Sequence, residues 1–509
     1  MTVTAPAPKA RSLPQPHQGN RWAVLVVLCV SLLLITVDAT VLHIAVPALT
    51  AALEPSSVQL LWIIDAYSLV VAPLLILFGA LGDRYGRRRL VLAGLAVFGI
   101  ASASAAFAPN AATLIAARAL LGVGGAMIMP ATLSIIRQVF SDRRERAIAL
   151  GVWSAVAAAG AAVGPLVGAL LVGLWWGAVF LVNVPILLAL LPAAARLLPG
   201  CERRERHSWD TLSAVLSVLG ILAVAFGLKE AGSGHLLPVG ASLAVLAAGV
   251  ALLVWFVRRQ RALAVPLLDL ELFRSRAFTT GVAGVLLGVF ALVGLQLMLA
   301  QYLQLVLGDS PLRAAFRMLP LVLAAVCGGL AAAHLLPRLG LRATMSGGLG
   351  LVALSLTPTL TWGVESHSFV LACCFVGIGF GVQVALLAAS DTIMSSVPEW
   401  RAGGAAAIEE TAYELGAGMG VAVLGTITTI AYAPALPSVP GVPESGMAQA
   451  RQSLASAAHV AHEVGGASGA VLVREARWAF VNALHTTVAV SVVLLAATAV
   501  AVAMLLRRD

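Results

Sequence analysis

Apolar positions along this chain do not recur at the period of a half-buried helix or strand. They run on. Long stretches of Leu, Val, Ala, Ile and Gly follow one another, separated by short links rich in Arg, Pro and Gly. A helix needs about 20 apolar residues to cross the hydrocarbon of a bilayer. Fourteen runs of that kind are predicted, at 22–46, 59–80, 90–108, 112–138, 147–172, 176–198, 211–229, 236–257, 277–306, 313–336, 343–362, 367–394, 403–431 and 477–506. The longest imply tilted or kinked spans. No room remains between them for a water-soluble domain, so the fold class is an all-α polytopic membrane protein. Composition agrees: 60% of residues are hydrophobic and 11% charged, far from a soluble globule.

Charge adds an orientation. With the N-terminus inside, 25 of the 32 basic residues fall in cytoplasmic links or tails, and six (Lys229, Arg313, Arg317, Arg451, Arg474, Arg477) fall outside. The remaining one, Arg118, lies within a run. Such asymmetry is the positive-inside rule, with both termini cytoplasmic. It also accounts for the net charge of +9 without a nucleic-acid partner. Residues 1–21, with Pro6, Pro8, Pro14 and Pro16, read as a disordered cytoplasmic tail. The first run is too long for a cleaved signal peptide, and many more follow it. The five cysteines (Cys29, Cys201, Cys327, Cys373, Cys374) lie in runs or on the cytoplasmic side and read as packing residues. With only Lys9 and Lys229 as lysines, no phosphate-binding G-x-x-x-x-G-K motif exists. His43, His334, His367 and His485 are scattered, and no metal-ligand spacing is present. No cofactor is expected.

Two runs, 59–80 and 90–108, are joined by Gly79-Ala80-Leu81-Gly82-Asp83-Arg84-Tyr85-Gly86-Arg87-Arg88-Arg89. So short a link needs a tight turn, which glycine permits. The arginines hold it at the cytoplasmic surface, and Asp83 offers them a partner. The spacing of Arg84, Gly86 and Arg88 returns in Arg338, Gly340 and Arg342, with Pro337 where Asp83 would stand. That repeat suggests two related six-helix halves, 22–198 and 277–509, around an inserted helix pair with its linkers, 199–276. Between the last two runs, residues 432–476 form a long outer link. It reads equally as a short helical hairpin over the extracellular mouth or as a disordered spacer.

Acidic residues inside runs mark function, because a buried membrane charge costs several kcal/mol unless paired or hydrated. Asp38, Asp65, Glu409, Glu410 and Glu414 are in this position. Asp38 lies roughly 24 Å into run one at 1.5 Å per residue, at a depth shared by Asp65 and Arg118. Either an Asp38–Arg118 or an Asp65–Arg118 pair is geometrically available. Glu410 and Glu414 stand one turn apart on run thirteen, with Glu409 about 100° away. They cannot all ionise together in a poor dielectric, which makes the cluster a place to exchange a proton for a cation. Glu410 ranks first among them, then Glu414. Glu409, nearer the cytoplasm, is expected to be partly solvated. Trp62, Tyr67 and Trp153 are the candidate aromatic walls of a cavity.

The 79–89 link resembles the cytoplasmic signature of major facilitator transporters, G-x-L-a-D-r-x-G-r-k, at nearly every specified position. Gly160, Gly164, Pro165 and Gly168 on run five resemble the antiporter signature g-x-x-x-G-P-x-x-G-G, with Ala169 in place of the last glycine. Asp38-Ala39-Thr40-Val41, Trp62-Ile63-Ile64-Asp65-Ala66-Tyr67-Ser68 and Glu409-Glu410-Thr411-Ala412-Tyr413-Glu414 look like the fourteen-helix drug:proton antiporters, which export quaternary ammonium compounds and dyes. The likeness covers the chain apart from its tail and long outer link. It implies a major facilitator fold of two six-helix bundles plus two central helices, and Asp38, Asp65 and Glu410 in proton or cation handling. Some members use an acid in run ten for dications. Here that run offers only Cys327 and His334, which counts against dications.

The expectation is a proton-coupled exporter of lipophilic, chiefly cationic drugs, monomeric, with protons and small lipophilic cations as its partners in the bilayer. Gly79, Gly82, Asp83, Arg84, Gly86, Arg87 and Arg88 would latch its inward-closed state. A dedicated exporter of one antibiotic is the alternative, and a proton symporter for a metabolite stands behind it.

Overall fold

A computed structural model describes residues 20–55, 57–200, 210–233, 237–263, 266–364, 368–398 and 401–506. Nearly all of the tail 1–21, most of the link 199–210 with Cys201, and His367 lie outside the described residues. So do the side chains of His43, Pro165 and Lys229. The described chain is helical: α1 (Arg21–Leu53), α2 (Ser57–Tyr85), α3 (Arg87–Ala106), α4 (Ala111–Val139), α5 (Arg143–Val172), α6 (Ala178–Leu181) and α7 (Asn183–Leu197) come first. Then follow α8 (Thr211–Ser233), α9 (Val239–Ala262), α10 (Arg276–Gln301), α11 (Pro311–Leu356), α12 (Ser368–Ser395) and α13 (Ala402–Ala435). The last are α14 (Glu444–Ala450), α15 (Leu454–Val464) and α16 (Gly466–Leu505).

Among the described residues, 12 helices are long and apolar enough to cross a membrane, or 13 with the bent pair in α5. The difference from the fourteen expected runs has a local cause. Runs ten and eleven appear as one continuous helix, α11, broken only at Gly340 (φ 75°, ψ 167°). Gly86, the single residue between α2 and α3, also has a left-handed φ of 101°. The two glycines of the repeated arginine spacing are thus hinges of the same kind, where a side chain would be strained.

Helices α1 to α7 pack among themselves, with α1 on α5, α2 and α3 on α4, and α3 on α7. A second group joins α10 to α13, α11 to α12, and α16 to both α11 and α13. The α8–α9 pair packs through α8 on α2 and on α13, so it covers a seam between the groups. It buries polar groups: Ser213, Ser217, Glu230 and Ser242. At its base Arg259 grips Asp210 with two hydrogen bonds (3.0 and 3.1 Å), and Gln260 donates to Ser213. In the long 432–476 link, α14 and α15 form a short helical pair, and Tyr432 donates its hydroxyl to the Ala450 carbonyl.

The two ends of the molecule differ. One collects the start of α1, the α2–α3 turn, the α4–α5 link, the end of α12 and the start of α13, and carries most of the arginines. The groups meet across this arginine-rich end, through α2 with α13 and α5 with α11 and α12.

Candidate functional site

The first charged centre is fully enclosed. Asp38 on α1 and Arg118 on α4 are 0% and 1% exposed. Arg118 Nη1 donates to Asp38 Oδ2 at 2.8 Å, and its Nε donates to the Ile63 carbonyl of α2 at 3.2 Å. Asn183, at the start of α7, donates to Asp38 Oδ1 at 3.2 Å and lies 3.2 Å from Ser102 Oγ. Residues of five helices, α1, α2, α3, α4 and α7, therefore meet in the network around one carboxylate. A charge buried this deep is tolerated because its oxygens are paired and hydrogen-bonded. Of the two pairings available from the sequence, Asp38–Arg118 is the one formed.

Asp65 belongs elsewhere. Two residues along a helix turn about 200°, so Ile63 and Tyr67 face Arg118 while Asp65 looks the other way. It is half-buried and does not line the cavity. Trp62 shares this second face. Its ring stacks on Phe226 of α8 with centroids 6.3 Å apart, so it packs the inserted pair and is not a cavity wall. Asn183 is missed by sequence reasoning, although an Asn amid Leu181-Val182-Asn183-Val184 is a polar group in an apolar setting.

The second centre is a cavity of about 350 Å³ between the helix groups. Tyr67, Trp153 and Tyr413 supply aromatic surface, and aliphatic residues most of the rest. Glu409, Glu410 and Glu414 all reach it, and no Lys, Arg or His is among its described lining residues. Glu409 is 7% exposed, not solvated as its position in the sequence suggested, because α13 is covered along that turn by the other helices. Cys327 and His334 on α11 are exposed and turned away from the cavity.

Beneath the cavity the arginine-rich end is closed along two lines. On one, Asp83 Oδ1 accepts from Arg87 (2.9 and 3.1 Å) and Oδ2 accepts from the Gly404 amide at 3.0 Å. A carboxylate at the first turn of α13 faces unsatisfied N–H groups and the positive end of the helix dipole. Arg87, itself buried, also donates to the Ser134 carbonyl of α4. Above this, Gly79 approaches α13 so closely that a Cβ there would lie 2.5 Å from Ala407 Cβ. Gly82 sits against Leu90 and Arg87. Arg88 donates to the Ala195 carbonyl of α7, and Arg84 lies over the Tyr85 ring.

The other line joins α5 to α12. Arg146 and Asp391, 4% and 1% exposed, form an ion pair at 3.7 Å. Eight residues further into the bundle on each helix, Gln383 donates to Ser154. The matched spacing means the two helices run antiparallel in register. Sequence reasoning passes over Asp391 because it sits so near the end of its apolar run that it reads as link. On the far wall, Gly160 and Gly164 of α5 pack against Thr36 and Thr40 of α1, whose hydroxyls are turned back onto their own helix carbonyls. The helix bends by 42° between Ala161 and Leu166, where Pro165 falls in the sequence.

Membrane-crossing helices in two groups, meeting at one end below an acid-lined cavity, define a transporter and not an enzyme. The model of the Major Facilitator Superfamily matches residues 28–421, and the chain belongs to that superfamily. It is 41% identical over 488 residues to the multidrug efflux pump LfrA of Mycolicibacterium smegmatis, covering 96% of each chain. It is also 41% identical over 418 residues to the methyl viologen resistance protein SmvA of Salmonella typhimurium, covering 82% of this chain and 84% of that one. The crystal structure of the human organic anion transporter MFSD10 shares the fold: the TM-score is 0.63 at 15% identity, over 94% of this chain and 100% of that chain.

Proposed function

We propose that this protein is a proton-driven exporter of lipophilic cations in a bacterial cytoplasmic membrane. One observation carries the reading: three carboxylates and no described basic group line a cavity whose remaining walls are mainly aliphatic and aromatic, with Thr36, Thr40, Ser154, Gln296, Gln383 and Ser390 as neutral polar groups. Such a lining favours a flat or greasy cation, held by charge and ring faces without a stereospecific polar constellation. Relatives named as a multidrug efflux pump and a methyl viologen resistance protein support export. Methyl viologen is a dication, and three clustered glutamates suit that charge even without an acid on α11.

In this reading the arginine-rich end is cytoplasmic and both termini lie inside. The hinge at Gly340 counts α11 as two spans, and with the bent α5 the total becomes fourteen. Two six-helix units, 22–198 and 277–509, rock about the cavity, and 199–276 is the inserted pair. The arrangement described above, closed by Asp83 and Arg146, is then the outward-facing state of a monomer. Cargo enters from the cytoplasm in the alternate state and settles near Glu410 and Glu414. It leaves when protons reload these groups and Asp38. Asp65, which does not line the cavity, acts outside the cargo site. The membrane potential adds about 2.3 kcal/mol per charge per 100 mV.

Ethidium efflux from energised cells tests this, comparing wild type with Glu410→Gln and Asp38→Asn, with and without a protonophore. Efflux that stops with the protonophore and in either variant supports it. Wild-type cells that expel none of several lipophilic cations would instead point to a dedicated exporter of one antibiotic.

A further inference from the structure

Tyr67 stands where the two centres come closest. Arg118, already paired with Asp38, lies over the Tyr67 ring with its guanidinium carbon 4.9 Å from the centroid. The same residue lines the cavity. From α1 and α4 it feels the charges of Asp38 and Arg118, and from α13 those of Glu414 and Glu410. Its place is made by α4: a Cβ on Gly125 would lie 2.9 Å from the Tyr67 hydroxyl, and one on Gly122 would lie 2.7 Å from its carbonyl oxygen. The hydroxyl is buried and has no hydrogen-bond partner among the described residues. What the ring offers on both sides is therefore its π face and bulk.

We propose that Tyr67 is the coupling residue of this transporter, transmitting the charge state of the enclosed Asp38·Arg118 pair to cargo in the cavity. This rests on the proton-driven export proposed above. With Asp38 ionised the pair is neutral, and a cargo cation shares the Tyr67 ring at no electrostatic cost. When Asp38 takes a proton from solvent the pair gains one positive charge. Arg118, released from the carboxylate, is then held by the ring, and a cation on its cavity side is repelled. Linkage works both ways: cargo arriving on the ring favours loss of that proton to solvent. The groups that face Tyr67 and take part are Asp38, Arg118, Glu410 and Glu414, so the glutamates carry protons of their own and Tyr67 governs only the share lodged on Asp38.

The experiment counts protons released per cation bound by purified protein in nanodiscs, with ethidium as probe, from calorimetry in buffers of different ionisation enthalpy. Tyr67→Phe keeps the ring and should keep the wild-type count. Tyr67→Met keeps the bulk beside Gly122 and Gly125 but loses the ring. It should bind ethidium within about tenfold of wild type through Trp153 and Tyr413 while releasing at most half as many protons. Asp38→Asn should lower the count equally, and the double variant no further. Monodispersity and retained binding separate lost coupling from lost fold. A Tyr67→Met protein that releases the wild-type number overturns the proposal, as does a Tyr67→Phe protein as defective as Tyr67→Met. If Tyr67→Met fails to fold, a Tyr67→Phe count within error of Asp38→Asn overturns it. A wild-type protein that binds ethidium without releasing protons removes the proton-driven reading itself, an outcome visible before any variant is made.

Discussion

Replacing Asp391 with Asn should open the arginine-rich end of the molecule. In the state described here Arg146 and Asp391 are buried opposite one another at 3.7 Å, too far for a hydrogen bond. At an effective dielectric of about 20 their attraction is about 4 kcal/mol, most of it offset by the loss of hydration. The variant keeps the cost and loses the compensation, because Arg146 stays buried without its counter-charge. Removing one partner of a buried pair costs about 3–5 kcal/mol, and the absence of a hydrogen bond argues for the lower figure. Once α5 and α12 separate, both groups are hydrated and the substitution costs little. About 3 kcal/mol therefore falls on one state only, a shift of roughly 150-fold in the equilibrium. A cysteine at Leu150, buried one turn above Arg146, reports the opening in a variant without the five native cysteines. Its labelling by an impermeant maleimide from the arginine-rich side should accelerate at least about tenfold in Asp391→Asn. The apolar pair Arg146→Met with Asp391→Leu should return it towards wild type, since Arg146 no longer leaves a buried charge opposite an uncharged residue. Unchanged labelling in Asp391→Asn, or a double variant labelled as fast as the single, would refute the reasoning.

Three further outcomes follow from the geometry. Arg118→Ala strands Asp38 and should destabilise the protein by about 3–5 kcal/mol, while Arg118→Met combined with Asp38→Asn should cost less than Arg118→Ala; thermal unfolding in detergent measures both, and additivity would sink the pairing. Glu410→Gln removes one cavity carboxylate and should weaken binding of a cationic dye roughly tenfold or more while leaving a neutral dye of similar size unaffected. Asp210, at the surface end of α8, is held at about 2 against an ordinary 3.8 by hydrogen bonds from Arg259 and Ser213. Its stabilising contribution is present above pH 4 and lost as pH falls through 2, so the melting difference between wild type and Asp210→Asn should be constant down to about pH 4 and shrink below it.

What the chain discloses before folding is set by the bilayer. Hydrocarbon demands long apolar runs, so most spans can be read with little help from neighbours, and an acid within a run is conspicuous at once. Asp38, Glu410 and Glu414 were visible for that reason, and Arg118 too. Which way a side chain faces was not visible, because a run apolar on all sides has no inside. Asp65 and Tyr67 differ by two positions, and nothing in Asp65-Ala66-Tyr67 says which one meets Arg118. The packing of α8 on α2 decides it, turning Trp62 and Asp65 outwards from the cavity. Asp391 shows the complementary failure: near the end of a run an acid looks solvated, and only the antiparallel seating of α5 on α12 reveals that it is buried.

The acids therefore divide by what surrounds them and not by how deep they lie. Asp38 and Asp391 each face an arginine across a helix interface, and such pairs hold a geometry. The three glutamates of α13 share a cavity with no described base, and groups so placed exchange partners. A cation in that cavity supplies the counter-charge that the protein itself withholds. Asp38 lies between these roles, because its arginine also touches the Tyr67 ring that borders the cavity. The sealed pair meets the cavity at that ring, which is why removing the ring, with every carboxylate left in place, is the more searching perturbation.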